Sequence, residues 1–247
     1  MTKKTARKGL REPYLDEALM WKAGFNQEEG RFEEALELWE KVPLKAVKGP
    51  ESDLREDNAK GDESVRSLRL AFQNTGGWRS CADKVRIIGD QFSGKLKEKT
   101  AKNAGYDLAG FAECHCDGYK DPEAWTAIVN RKGRSWYTYW LSVHAGEALA
   151  GVPIEVNSYA CGRVIRLDMV LNGRPRTYIY VYAPSQRKER LPFFRHFQEC
   201  MPRDRDVIMM GDYNVRLSKQ DHSKAAPPNG GSTEWQLIRD ANATQDV

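Results

Sequence analysis

The sequence lacks the features that mark membrane, secreted and dinucleotide-binding proteins. Its 247 residues contain no apolar run approaching the ~20 residues that cross a bilayer. The basic start, Met-Thr-Lys-Lys-Thr-Ala-Arg-Lys, is not followed by an apolar segment, so it is not a secretory signal. No Gly-x-Gly-x-x-Gly stands between a strand and a helix, which disfavours a Rossmann fold. The five cysteines are odd in number and scattered, which favours a reduced, intracellular protein.

The charge of the sequence bears on its binding partner, and its aromatic content bears on its hydrophobic core. Lys and Arg number 39 against 35 Asp and Glu, a formal net charge of +4 that permits nucleic acid as a partner without demanding it. Seven Trp, ten Tyr and eight Phe are enough to fill a core. Five basic side chains precede the first acid, Glu12. They predict a disordered arm, or alternatively a nuclear-localisation or nucleic-acid-binding segment.

The first third of the chain is predicted to be separate from the rest. Apolar residues at helical spacing predict a helical hairpin that follows the basic arm within residues 1–47. Residues 48–64 are charged and polar, which is typical of a linker. Residues 65–80 are predicted to hold one more short helix and a connector that contains Thr75-Gly76-Gly77.

Residues 81–247 are predicted to form one α/β domain. Short β-branched and aromatic runs alternate with a few helical patterns, and Asn172-Gly173 is typical of a hairpin turn. This arrangement predicts a mixed α/β layer fold. The predicted strands are 85–88, 106–112, 136–143, 152–156, 163–171, 176–182 and 206–210, and the predicted helices are 95–103, 193–200 and 233–240.

One apolar run delivers two oxygen-bearing side chains at its end. Met209-Met210 is followed by Gly211, Asp212, Tyr213 and Asn214. Because residues two apart in a strand face the same side, Asp212 and Asn214 are expected to point at one ligand. Carboxylate and amide oxygens suit Mg²⁺ or a phosphate. The alternative is a simple turn, since Asp and Asn are common turn formers.

Two other strand ends carry a Glu and a Tyr. Glu113 follows a buried apolar run, where a carboxylate is costly unless it meets a cation or hydrogen-bond donors. Tyr182 precedes Ala183-Pro184 and a basic segment that opens an amphipathic helix. A hydroxyl there can donate to a phosphate. The alternatives are a surface Glu in a loop and aromatic packing within the strand.

In this order the motifs resemble the endonuclease/exonuclease/phosphatase superfamily, which includes pancreatic deoxyribonuclease, apurinic-site endonucleases and inositol phosphatases. Gly-Val-Pro-Ile at 151–154 and Gly-Arg-Val-Ile-Arg-Leu-Asp at 162–168 look most like the endonuclease domains of non-LTR retrotransposons. The resemblance spans roughly residues 84–247. It implies a β-sandwich flanked by helices in four layers, with DNA as partner and Mg²⁺, or Mn²⁺, as cofactor.

The resemblance also implies roles for the strand-end residues. Glu113 matches the family's metal-binding Glu, and Asp212 matches the Asp that orients the attacking water. Asn214 matches the Asn that contacts the scissile phosphate, and Tyr182 matches the active-site Tyr. Together they imply attack of water on a phosphodiester, with the metal neutralising the developing charge.

Two departures from the family concern the start and the end of the domain. At the start, Gln91, in Gln91-Phe92-Ser93-Gly94, stands where the family has its first Asn near the metal, so we expect Gln91 to take that place. Separately, Arg187 and Lys188 are expected to bind phosphate or nucleic acid. The family's final Asp-His pair does not occur before Val247, so we expect a C-terminally truncated or degenerate domain with impaired cleavage. The alternatives are a non-catalytic remnant that binds nucleic acid or protein, and a small-molecule phosphatase or phosphodiesterase.

Overall fold

The computed structural model describes residues 45–48, 67–77, 86–87, 89–90, 105–115, 122–130, 132–160, 162–215, 235–236 and 238. The elements are β1 (Lys45–Lys48), β2 (Leu70–Asn74), β3 (Leu108–Ala112), α1 (Pro122–Val129), β4 (Arg134–Tyr137), β5 (Leu141–Ala145), a 3₁₀ turn (Glu147–Leu149), β6 (Ile154–Tyr159), β7 (Val164–Leu171), β8 (Arg174–Tyr182), α2 (Arg187–Glu199) and β9 (Asp206–Asp212). Within these ranges, no helix is long and apolar enough to cross a membrane.

The first sheet has the strand order β1-β4-β5-β3-β2. Strand β3 is buried along its whole length, as expected for a continuous apolar run in the middle of a covered sheet. It pairs antiparallel with β5 and parallel with β2, whereas β1 pairs antiparallel with β4. The short turn at 138–140 joins β4 and β5 into a hairpin.

The second sheet has the strand order β6-β7-β8-β9. Strands β7 and β8 form a hairpin whose two loop residues, Asn172 and Gly173, have φ of 53° and 74°. Two positive φ angles are what a type I′ turn requires, and Asn-Gly adopts them at little cost. Helix α2 then returns the chain so that β9 runs parallel to β8.

The two sheets face each other, and one helix covers each outer face. Alternation along β9 shows the layering: Ile208 and Met210 pack between the sheets, whereas Val207 and Met209 pack in the cluster that contains α2 residues. Trp125 and Val129 of α1 pack with residues of β3 and β4 on the other outer face. The predicted fold, a β-sandwich flanked by helices, is therefore confirmed.

Some sequence predictions are wrong at the start of the domain. The short helix predicted within residues 65–80 is replaced by strand β2, which pairs with β3, so the sheet begins before residue 81. Residues 45–47, predicted as the end of the hairpin region, and Lys48, predicted as the start of the linker, form β1 of the same sheet. Residues 86–87, predicted as strand, are helical. The basic arm and almost all of the predicted linker lie outside the described residues.

Candidate active site

Four strands of the sandwich end at one edge, which we call the carboxyl edge and define by Asn74, Glu113, Tyr182 and Asp212. Asn74 lies opposite Ala112 in the parallel pair β2–β3, so β2 ends beside the residue that precedes Glu113. Tyr182 lies opposite Asp212 in the parallel pair β8–β9. The carboxyl ends of parallel strands form the usual ligand-binding edge of α/β sheets, and here two such pairs meet.

The amide of Asn74 joins the two sheets. Its Nδ2 donates to Glu113 Oε1 at 3.1 Å and to Asp212 Oδ2 at 2.9 Å. Because both carboxylate oxygens bind one nitrogen at these two distances, they lie no more than 6.0 Å apart. Its Oδ1 accepts from the Gly76 amide at 2.9 Å, which fixes the orientation of the side chain. The expected convergence of Glu113 with Asp212 is present.

Tyr182 adds a second donor to Glu113. Its hydroxyl lies 2.8 Å from Glu113 Oε1, the same oxygen that binds Asn74. Burial raises the pKa of Tyr182, and the hydrogen bond to Glu113 and the negative charge of that carboxylate raise it further. The phenol therefore keeps its proton at neutral pH and acts as a donor.

A left-handed backbone brings the Glu113 carboxylate to this edge. Ala112 packs between the sheets, so regular alternation would send the next side chain to the outer face. Glu113 instead has φ of 55°, which breaks the alternation and costs about 1–3 kcal/mol for such a residue. Thr75 supports the bend, because its amide and hydroxyl both donate to the Ala112 carbonyl, at 2.9 and 2.8 Å. Backbone strain of this kind clusters at functional sites.

Asp212 and Asn214 are held by a turn that follows β9. The Asn214 amide donates to Asp212 Oδ1 at 3.0 Å, and Asn214 has φ of 51°. Its side-chain amide donates to the Ala183 carbonyl at 2.7 Å, and its own carbonyl accepts from Arg190. The turn considered as an alternative is therefore present, and it fixes the Asp212 carboxylate at the edge.

Arg163 supports the edge from inside and was not predicted from the sequence. Only 6% of it is exposed, and its guanidinium carbon lies 3.9 Å from the ring centroid of Trp140 and 5.3 Å from that of Tyr182. Its backbone carbonyl also accepts from the Tyr182 amide at 2.9 Å. A cation that is stacked on two rings and linked to the Tyr182 backbone fixes the position of the phenol.

Three predicted site residues remain, namely Gln91, Arg187 and Lys188. Gln91 lies outside the described residues, and Asn74 supplies the amide beside both carboxylates that Gln91 was expected to supply. Arg187 and Lys188 open α2, which begins shortly after Tyr182. Their backbone position is close in sequence to the edge, and phosphate binding by their side chains stays a prediction.

The donor chemistry of the edge suits a hard divalent cation. Two carboxylates are ligand types that Mg²⁺ takes, and Mg²⁺ usually keeps several waters beside one or two carboxylates. The Asn74 amide presents its Nδ2 to both carboxylates while its Oδ1 accepts from Gly76, so it positions the ligands and is not one of them. Among the described residues, no group of three or more His, Cys, Asp or Glu side chains could hold a metal. A site that resembles a protein-only cage, as for zinc, is therefore not formed within this part of the chain, whereas a hydrated Mg²⁺ fits.

Comparisons with known proteins give only distant structural similarity. No known family profile matches the sequence, and no curated protein does. An endonuclease/exonuclease/phosphatase family protein from Leptotrichia buccalis is 12% identical with a TM-score of 0.44, over 70% of this chain and 72% of that one. TDP2 from C. elegans is 11% identical with a TM-score of 0.44, over 91% and 72%.

A third similar structure is the inositol polyphosphate 5-phosphatase domain of spsynaptojanin, in complex with inositol (1,4)-bisphosphate and calcium ion. It is 13% identical with a TM-score of 0.38, over 81% of this chain and 62% of that one. Since all three TM-scores are below 0.5, the functional proposal rests on the side-chain geometry of the carboxyl edge.

Proposed function

We propose that this protein is a metal-dependent hydrolase of phosphodiester bonds that acts on DNA, as an endonuclease of the retrotransposon type within the endonuclease/exonuclease/phosphatase superfamily. The observation that carries the proposal is the carboxyl edge, where one amide bridges carboxylates from two sheets and a protonated phenol donates to one of them. A pair of carboxylates at strand ends is suited to a cation that in turn binds a phosphate.

Each residue of the edge has a distinct task. Glu113 would hold Mg²⁺ or Mn²⁺, which when bound would neutralise charge that develops on the phosphate. The Asn74 amide orients the Glu113 and Asp212 carboxylates by donating to both. Asp212 accepts a hydrogen bond from the attacking water and orients it. Tyr182, protonated at neutral pH, donates its one hydroxyl hydrogen to Glu113 and keeps that carboxylate in place. Asn214 fixes Asp212 through its backbone amide.

The decisive experiment is nicking of supercoiled plasmid by the intact 247-residue chain with Mg²⁺. We expect Asp212→Asn and Glu113→Gln each to lower the rate by at least about 10²-fold, because charge-stabilising and proton-transferring groups contribute factors of this size. Asp206→Asn is the matched control, since Asp206 begins the same strand that Asp212 ends and is exposed. It should nick like the parent protein.

Two further substrates separate this proposal from its alternatives. A phosphodiester such as bis(p-nitrophenyl) phosphate should be cleaved with the same dependence on Asp212, whereas p-nitrophenyl phosphate and inositol phosphates should be poor substrates. The reverse order would favour a small-molecule phosphatase. A folded parent protein that cleaves none of these substrates, with any divalent metal, would contradict the proposal and favour a non-catalytic binding module.

A further inference from the structure

Three half-exposed rings lie together beside the carboxyl edge, and we call them the aromatic shelf: His115, Tyr139 and Trp140. The ring of His115 is stacked on that of Tyr139, with centroids 5.5 Å apart and planes within 8°. Trp140 stands edge-on to both, with centroid distances of 5.7 Å to His115 and 4.7 Å to Tyr139. All three are carried by two loops, after β3 and between β4 and β5, and not by the strands of the core.

Hydrogen bonds of the backbone and of Thr138 hold the two loops that carry the shelf. Thr138 closes the β4–β5 turn, because its amide donates to the Leu141 carbonyl at 2.8 Å and its hydroxyl accepts from the Leu141 amide at 2.9 Å. The same hydroxyl donates to the Gly162 carbonyl at 2.6 Å. The Cys114 amide donates to the Trp140 carbonyl at 3.2 Å and so ties the two loops together. A preformed surface binds a planar ligand without an ordering cost.

The shelf is continuous with the residues proposed to cleave the phosphodiester. His115 lies two residues after Glu113, and the ring of Trp140 lies 5.7 Å from that of Tyr182, whose hydroxyl binds Glu113. Arg163 stacks on Trp140 and adds positive charge next to the rings. A ligand that spans the shelf and the edge therefore needs a planar group joined closely to a phosphate, and a nucleotide has both.

We propose that the aromatic shelf stacks an unpaired nucleobase of a nucleic-acid strand whose phosphate lies at the carboxyl edge. We place the base outside a duplex because a ring can stack on a protein side chain only if its face is open, and neighbouring base pairs cover both faces of a base inside a duplex. Stacking on aromatic side chains does not depend on which base is present, so the shelf distinguishes single-stranded from double-stranded nucleic acid and not one base sequence from another. The inference rests on the proposed function only in that the ligand is a nucleic acid.

The test measures binding without cleavage, by fluorescence anisotropy of labelled oligonucleotides with the intact chain in EDTA. We expect Tyr139→Ala to weaken single-strand binding by about 5- to 100-fold, the loss of one stacked base. Tyr139→Trp should retain binding because it keeps a flat ring. Tyr106→Ala is the matched control, since Tyr106 is 39% exposed and stands outside the shelf. Its affinity should equal that of the parent.

A second arm uses the parent protein alone, so that it does not depend on how a variant folds. Oligonucleotides with a single abasic site, moved along the strand, should bind the parent more weakly when that site is at one particular position. The inference is overturned if Tyr139→Ala binds single strands like the parent, or if the abasic series is flat. It is also overturned if Tyr139→Ala weakens the binding of duplex and of single-stranded oligonucleotides by the same factor, which would indicate general phosphate binding.

Failure of this inference and failure of the proposed function give different results. Stacking without cleavage of any phosphodiester in Mg²⁺ would leave the shelf in place and reject the hydrolase. Cleavage that is unaffected by the shelf variants, with flat binding data, would reject the shelf and retain the hydrolase.

Discussion

Asn74 is the residue on which the geometry of the edge depends. One neutral amide sits between two carboxylates and satisfies an oxygen of each, so it partly offsets their repulsion. Asn74 is exposed, so each of its two hydrogen bonds to a carboxylate is worth about 0.5–1 kcal/mol. The amide therefore stabilises a pair of like charges that would otherwise favour separation of the two sheets at this edge.

Replacing Asn74 by Asp tests this role. We expect Asn74→Asp in EDTA to lower the free energy of unfolding by about 1–3 kcal/mol, because a third carboxylate replaces the donor. Millimolar Mg²⁺ should restore much of that loss, since three carboxylates bind a divalent cation better than two. Urea unfolding with and without Mg²⁺ measures both effects.

The matched control for this prediction is Asn157→Asp. Asn157 is half-buried on β6 and its amide binds a single carboxylate, that of Glu155, at 3.3 Å. Its replacement should cost less than about 1 kcal/mol, as for other surface charge pairs, and Mg²⁺ should not reverse it. Equal responses of the two variants to Mg²⁺ would mean that the carboxyl edge is not a cation site.

The hydroxyl of Tyr182 should stabilise the fold only while it is protonated. Its pKa is raised above the ordinary value of 10.0, by burial and by Glu113, so its contribution is complete below about pH 10 and is lost as the pH rises further. We expect Tyr182→Phe to cost about 1–3 kcal/mol near neutral pH. In urea unfolding, this difference from the parent should shrink above pH 10. A difference that is constant with pH would contradict the assigned hydrogen bond.

At the scale of elements, alternation and turn chemistry were enough to predict most of the sandwich. The predicted runs 163–171 and 176–182 match β7 and β8 closely, because the Asn-Gly turn fixes their register. Glu113, Tyr182 and Asp212 were also identified, since a polar residue at the end of an apolar run is visible in sequence. Their roles in catalysis stay predictions.

Strand β2, and with it Asn74, could not be identified in the same way. Its five residues, Leu70–Asn74, contain only three apolar side chains in a row, a run too short for periodicity to distinguish from a helical turn. What makes it a strand is parallel pairing with β3, a contact between residues 38 positions apart, such as Asn74 and Ala112. Pairing of this kind is set by tertiary context and not by local propensity. The sequence motifs therefore indicated Gln91 as the amide, whereas the structure places Asn74 beside both carboxylates.

Contact between the two sheets depends on the absence of a Cβ at Gly110 of β3. A Cβ at this position would lie 2.0 Å from Cδ1 of Tyr180 on the facing sheet. Tyr180 is fully buried and stacks loosely on Phe72 of β2, so its ring has little freedom to move. Glycine at position 110 allows the sheets to approach around a large aromatic ring.

We therefore expect Gly110→Ala to lower the free energy of unfolding by about 3 kcal/mol, the upper range for overpacking. Tyr180→Leu alone should also destabilise, because it leaves a cavity. The double variant should lose less than the two single variants together, with a coupling of about 1–3 kcal/mol. Chemical denaturation of the four proteins gives this coupling, and strictly additive losses would contradict direct contact between the two positions.

At the scale of the whole molecule, the first sheet carries a buried polar chain through its centre. His144 of β5 is fully buried, and its Nδ1 and Nε2 lie 2.8 and 3.1 Å from the hydroxyls of Ser135 and Ser142. The Ser142 hydroxyl lies 3.3 Å from Cys114 Sγ, next to Glu113. Hydroxyls can donate or accept, so they satisfy a neutral imidazole in either tautomer. This series of hydrogen-bonded side chains thus connects the core of the first sheet to the loop that holds Glu113.

Global stability should consequently fall in mild acid. Burial lowers the pKa of His144 from 6.5 to about 3, so the folded protein excludes a proton that the unfolded chain binds. The contribution of His144 is complete above pH 6.5 and is lost as the pH falls from 6.5 towards 3, at about 1.4 kcal/mol per pH unit. Over two pH units below 6.5, the loss from this group is about 2.5 kcal/mol.

Asp107 titrates below the pH range in which His144 affects stability. Burial raises the pKa of Asp107, but hydrogen bonds from Arg69 and its charge lower it overall, below the ordinary value of 3.8. Its contribution is therefore complete above 3.8 and is lost only at lower pH. Urea unfolding at several pH values between about 6.5 and 4.5 should thus report the titration of His144 with little interference from this pair.

In His144→Gln, which cannot titrate, the free energy of unfolding should change by about 2.5 kcal/mol less across the same pH range, whatever its value at neutral pH. Parallel curves for parent and variant would mean that His144 is protonated in the folded protein and that the core of the first sheet admits charge.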